Sequence, residues 1–161
     1  MTKSTQNKSF FTHAGVDYIW RKLAISDAKQ MHSLEQRCFS LPWSLAQCEG
    51  ALNQNQFAAF GLFGAQDLFA YISFYHIIDE MEIVNLAVAK ELRRQGYGRF
   101  LLTTALQTGQ KMGMHKVCLE VRRYNRAAIN LYEGCGFELE GVRKHYYTDT
   151  GEDAFIYEKL L

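Results

Sequence analysis

Charge of one sign is what this sequence has least to spare: 18 Lys and Arg stand against 17 Asp and Glu, a formal net charge of +1. A protein that binds nucleic acid by neutralising phosphates carries a marked basic excess, so no direct nucleic-acid binding is expected. No Cys-x-x-Cys pair occurs among Cys38, Cys48, Cys118 and Cys135. That removes the zinc and thioredoxin-type readings and leaves buried, reduced thiols in a cytoplasmic protein. His13, His32, His76, His115 and His145 lack metal-ligand spacing, and no metal is expected. No apolar run approaches the roughly 18 residues of a membrane span. The polar start, with Lys3 and Lys8, is not followed by the apolar core of a signal peptide, so a soluble chain with no membrane contact is expected.

What is present is apolar substance: 48% of the 161 residues are hydrophobic and 14% aromatic, enough for one core at about the length of one domain. Residues 1–16 carry no hydrophobic period and are expected to be a flexible or capping extension, with residues 17–161 forming a single domain. Tyr18–Leu23 reads as a strand. Ser26 and Asp27 then offer N-cap chemistry to a helix carrying Ala28, Met31, Leu34, Glu35 and Cys38 at helical spacing. The sole proline, Pro42, ends that helix, and Ser44 with Gln47 resembles the capping box of a short second one.

Two β-rich runs between Phe57 and His76, split at Gly64–Asp67, and a third over Met81–Ala89 read as an antiparallel meander. The pattern then turns helical, with Phe100, Leu101, Leu102, Ala105, Leu106 and Met112 on one stripe, before the alternating strand His115–Arg122. A helix between two strands implies a crossover and a parallel pair. A helix from Asn125 to about Gly134 and strands over Phe137–Val142 and Ala154–Leu160 complete an α/β fold with a mixed, mostly antiparallel sheet.

Arg93-x-x-Gly96-x-Gly98 lies between a strand and the amphipathic helix. A helix N-terminus exposes unpaired N–H groups and a partial positive charge, and glycines let phosphates approach, so the segment reads as an anion cradle. A plain glycine-bearing turn would use the same residues. Gly-Lys-Ser/Thr is absent, so this is no Walker A loop, and there is no Rossmann glycine pattern at the first strand.

Together with Asn125-x-x-Ala128 and Leu131-Tyr132-x-x-x-Gly136-Phe137, these residues resemble the GNAT superfamily of acetyl-CoA-dependent N-acetyltransferases. Leu41-Pro42-Trp43-Ser44, Asn85–Val88, Leu119–Arg122 and Arg143–Tyr147 look like its RimI branch, which acetylates the N-terminal alanine of a small-subunit ribosomal protein. The resemblance covers residues 18–161. It implies a twisted sheet whose central parallel strands splay apart, helices on both faces, and direct acetyl transfer from acetyl-CoA in a ternary complex. Leu86, Ala87 and Val88 would lie on the strand that binds the acetyl carbonyl and pantetheine. Arg94, Gln95, Gly96, Tyr97, Gly98 and Arg99 would hold the pyrophosphate, joined by Arg93 of the same motif, and Asn125 would contact the cofactor. Glu120 matches the general base and Tyr132 the general acid. The partner implied is a basic protein N-terminus, for which Asp79, Glu80, Glu82, Glu152 and Asp153 are available acids, though solvated loop charges would explain the same five residues.

The residues alone leave other readings open. Glu120 suits proton acceptance, but an ion pair with Arg122 or Arg143 would also explain it. Tyr132 suits proton donation, or packing beside Ala128, Leu131 and Cys135. Acceptors other than a ribosomal terminus, among them another protein N-terminus or a small amine, and a non-catalytic CoA-binding module are the alternative functions.

Overall fold

The computed structural model describes residues 9–13 and 16–161. The strands are β1 Ser9–His13, β2 Val16–Lys22, β3 Phe57–Gly64, β4 Asp67–Ile77, β5 Glu80–Val88, β6 Lys116–Arg122, β7 Glu138–Arg143 and β8 Ala154–Leu160. The helices are α1 Ala28–Cys38, α2 Leu45–Leu52, α3 Tyr97–Lys111 and α4 Arg126–Gly134. All eight strands share one sheet in the order β1-β2-β3-β4-β5-β6-β8-β7. Every neighbouring pair is antiparallel except β5 and β6, which the α3 crossover makes parallel.

Seven consecutive residues of β4, Leu68–Phe74, are buried, so both faces of the sheet's centre are covered. On one face Trp43 packs on Phe57, Phe57 meets Tyr75, and Tyr71 bonds to Glu35 of α1. On the other, Phe60 stacks on Trp20 and Phe74, and Trp20 meets Phe100 of α3. The α2 capping box forms as its sequence predicts, with Ser44 and Gln47 exchanging side-chain and backbone hydrogen bonds.

Three expectations are corrected. Residues 9–13 of the expected flexible or capping extension form β1, because a strand with no hydrophobic alternation of its own can still be held by its neighbour's ladder, here from Ser9↔Trp20 to His13↔Val16. The rest of that expectation, residues 1–8 with 14 and 15, lies outside the described residues. Asp27 does not cap α1. Its carboxylate takes two hydrogen bonds from Arg21, at 2.7 and 2.8 Å, and one from the Ala24 N–H, because a forked guanidinium outcompetes a helix N–H. Of the four cysteines only Cys48 is fully buried.

Candidate active site

β5 and β6 pair only from Glu80↔Lys116 to Ile83↔Leu119. Beyond that point β5 stays on β4 as far as Val88 and β6 stays on β8 as far as Arg122, so the two part. The cause is on β5: Phe74 pairs with Ile83 and Ser73 with Asn85, which leaves Val84 as an extra residue. This bulge bends the strand where the parallel pair opens. A cavity of about 870 Å³ enters the gap, with Leu86, Ala87 and Val88 on one wall and Glu120, Asn125 and Tyr132 on the other.

The cradle closes the far end, after Val88. Arg94 and Gly96 both have positive φ, 64° and 90°, and Gly96 precedes the first helical residue, Tyr97. The first α3 bond runs from the Phe100 N–H to the Gly96 carbonyl, at 3.0 Å, so the N–H groups of Tyr97, Gly98 and Arg99 precede the ladder and are left for an anion. A Cβ on Gly98 would lie 3.3 Å from Leu131 and 3.7 Å from Leu86, so glycine is what lets α3 start tight against α4 and β5.

Three side chains of this segment turn elsewhere. Arg93 donates Nε–H to the Val88 carbonyl at 2.9 Å. Tyr97 is buried, bonded to the Tyr18 hydroxyl and packed on Phe69. Arg99 reaches the Gly134 carbonyl at 3.3 Å. Across the turn, His13 of β1 bonds through Nε2 to the Gln95 carbonyl at 2.8 Å.

Glu120 and Tyr132 border the same cavity. The Glu120 carboxylate is held by Arg143 at 2.9 Å, while Arg122 is taken by Asp149; the ion-pair reading is thus met through Arg143 alone. Arg143 is 56% exposed, so its pairing is screened and weak. Beside them the Tyr146 phenol is pushed up by the Glu120 carboxylate. Tyr132 is buried, its phenol raised to about 12 by burial and then by Tyr147, so it carries its proton at neutral pH. No hydrogen bond to its hydroxyl occurs among the described residues. Asn125 caps α4, accepting the Ala128 N–H at 3.2 Å, and lines the cavity with Tyr132.

A family model described as the acetyltransferase (GNAT) family matches residues 28–137. The chain belongs to that family. This acetyltransferase is 36% identical over 137 residues to the ribosomal protein bS18-alanine N-acetyltransferase of Escherichia coli, an alignment covering 83% of this chain and 91% of the relative. Its fold is similar to the crystal structure of the ribosomal-protein-S18-alanine N-acetyltransferase from Escherichia coli, with a TM-score of 0.83, 32% identity and 89% and 93% of the two chains covered. The N-acetyltransferase PaiA of Thermoplasma acidophilum, solved with coenzyme A, shares the fold at a TM-score of 0.75 and 22% identity, over 89% and 99% of the chains.

The acids of this acetyltransferase divide sharply. Asp79 pairs with His115 and Glu80 with Lys116. Glu152 accepts the Tyr124 N–H and faces Arg122. Asp153 collects Arg123, Lys144 and the His145 N–H. Glu82 alone of the five lines the cavity; the residue is exposed, and its carboxylate has no hydrogen bond or ion pair among the described residues. Two features went unread in the sequence. Ser40 donates to Asp149 at 3.0 Å, tying the α1–α2 loop to the β7–β8 loop beside the cavity. Glu35 is a 1%-exposed carboxylate lining it, and its signal was an acid on the apolar stripe of Ala28, Met31 and Cys38.

Proposed function

We propose that this chain moves the acetyl group of acetyl-CoA to the α-amine of a protein N-terminus, the N-terminal alanine of a small-subunit ribosomal protein. The observation that carries the proposal is the parting of β5 and β6 after Ile83 and Leu119, because it opens a path between an anion cradle at Gly96–Arg99 and the paired acid–base candidates Glu120 and Tyr132. The residues fit a coenzyme A thioester: free N–H groups at the start of α3 suit the pyrophosphate, and unpaired strand edges suit the amides of pantetheine. Acetyl-CoA supplies an activated acetyl group and a thiolate leaving group.

The chain's own residues do the rest. An α-ammonium titrates near pH 8 and must lose a proton before attack; Glu120 takes it, directly or through water, once Arg143 swings aside. Past the bulge at Val84, the backbone of Leu86–Val88 runs along the gap with no β6 partner and polarises the acetyl carbonyl through its N–H groups. Tyr132, protonated and unengaged, gives its proton to the departing sulfur. Glu82 supports a basic acceptor, since its charge is unspent at the cavity wall.

Thiol release from acetyl-CoA tests this with three acceptors: a peptide starting Ala-Arg, one with a blocked N-terminus and an internal lysine, and spermidine. The first should be consumed with kcat/KM at least about ten-fold above the others, a discrimination of roughly 1.4 kcal/mol. Glu82→Gln should lower its kcat/KM more than that of an Ala-Ala peptide. Preference for spermidine would move the function to small amines, and no thiol release with any acceptor would leave a CoA-binding module.

A further inference from the structure

Glu35 serves no step above, yet of the carboxylates that line the cavity it accepts the most hydrogen bonds. Its Oε1 accepts from the Tyr71 hydroxyl of β4 and, at 2.9 Å, from the Asn85 amide of β5; its Oε2 accepts the Trp43 N–H at 2.9 Å. Asn85 is the residue after the Val84 bulge, and Trp43 belongs to the α1–α2 loop, whose Phe39, Ser40, Leu41 and Trp43 line the cavity. One turn before Glu35 on α1, His32 holds the other side of the same residue, its Nδ1 lying 2.8 Å from the Trp43 carbonyl. A carbonyl only accepts, so Nδ1 carries the hydrogen. Trp43 is thus clamped at both its N–H and its C=O by α1.

The place of the clamp gives it meaning. Trp43 packs on Phe57, which meets Tyr75, and Tyr75 pairs with Glu82. The Trp43 ring therefore points to the Glu82 end of the cavity, six residues along β5 from Val88, or about 20 Å at strand rise, while its clamped N–H shares the Glu35 carboxylate with Asn85 and the cradle lies past Val88. Burying a carboxylate is costly unless its lone pairs are met. Here they are met by donors from two strands and a loop, so the charge fixes the spacing of loop and strand as apolar contacts would not.

We infer that Glu35 is a positioning residue for the acceptor: it holds the 39–43 loop at a set distance from the bulged strand and so shapes the acceptor end of the cavity, leaving the cofactor end untouched. The inference rests on the acetyl-transfer reading above, and the wild-type chain acetylating the Ala-Arg peptide tests that reading separately.

Glu35→Gln keeps the shape but must turn an amide N–H2 toward a donor. With Tyr71 and Asn85 both bonded to Oε1, the Trp43 contact is the one lost. Steady-state kinetics should show the peptide KM rising about ten-fold, the size of one lost charge-assisted hydrogen bond, with kcat and the calorimetric Kd for acetyl-CoA within two-fold of wild type. Tyr71→Phe removes a donor from the same carboxylate without touching the loop and should leave the peptide KM alone. Should Glu35→Gln fail to fold, His32→Ala releases the other side of Trp43 and should raise the same KM. An unchanged peptide KM in the soluble variant, an equal rise in Tyr71→Phe, or a parallel loss of acetyl-CoA affinity would each overturn the inference.

Discussion

At the scale of single residues, the proposed division of labour between Glu120 and Tyr132 separates in a pH profile. Glu120→Gln cannot accept the amine proton, so turnover should fall at pH 7 and recover in part as the pH passes the α-amine's own value near 8. Tyr132→Phe removes the donor to the thiolate, and alkaline solution does not replace an acid. Its loss of about 100-fold should persist across the profile, with peptide KM unchanged; a two- or three-fold loss would return Tyr132 to packing. In the wild type, a phenol raised to about 12 should impose no alkaline limb below pH 10. Glu120 and Tyr132 could be named as candidates because each stands in a segment that resembles the family's, and both line the cavity. Glu35 was not, because spacing places a carboxylate on a face but does not say which donors from β4, β5 and a loop converge on it.

At the scale of elements, the cradle is the feature most exposed to a test by substitution. A branched side chain at residue 98 would press on Leu131 and Leu86, tilting the first turn of α3 and the N–H groups it presents. Gly98→Val should raise the Kd for acetyl-CoA at least about ten-fold by titration calorimetry. Gly113→Ala is the control: its φ of +80° is strained for alanine, but no atom lies within 4 Å and it sits beyond the far end of α3, so it should cost stability and not affinity. The meander β3–β4–β5 and the α3 crossover could be read from alternation and a helical stripe. The bulge at Val84 could not, since it arises from a mismatch in count between two strands rather than from any residue's propensity. The same holds for β1: its partner, not its pattern, makes it a strand.

At the scale of the whole molecule, pH should act on stability through Asp27. Burial pushes this carboxyl up, but the Arg21 guanidinium and the Ala24 N–H outweigh it, and the folded value ends below the ordinary carboxylate range. A depressed folded value gives stability that is present above the unfolded pKa of about 3.9 and is lost as pH falls through the folded one. The urea midpoint should therefore hold between pH 8 and 5 and drop below about pH 4. Asp27→Asn should lower it at pH 7, by about 2 kcal/mol in unfolding free energy for the charged hydrogen bonds lost, and flatten the acid limb. An unchanged midpoint at pH 7 would mean that Arg21 and Asp27 merely neighbour one another.

The strand order carries one more consequence, in the time course of synthesis. β8 lies between β6 and β7, although β7 is made first. While Ala154–Leu160 is still inside the ribosome, β7 has no strand to join and the edge of β6 that carries Glu120 is bare. Arg143, the partner of Glu120, rides on β7 and reaches its place only by way of β8. A nascent chain can thus assemble the cradle and the meander early, while the flank of β6 beside Glu120, the proposed base, is closed only when β8 slides between two strands that were waiting.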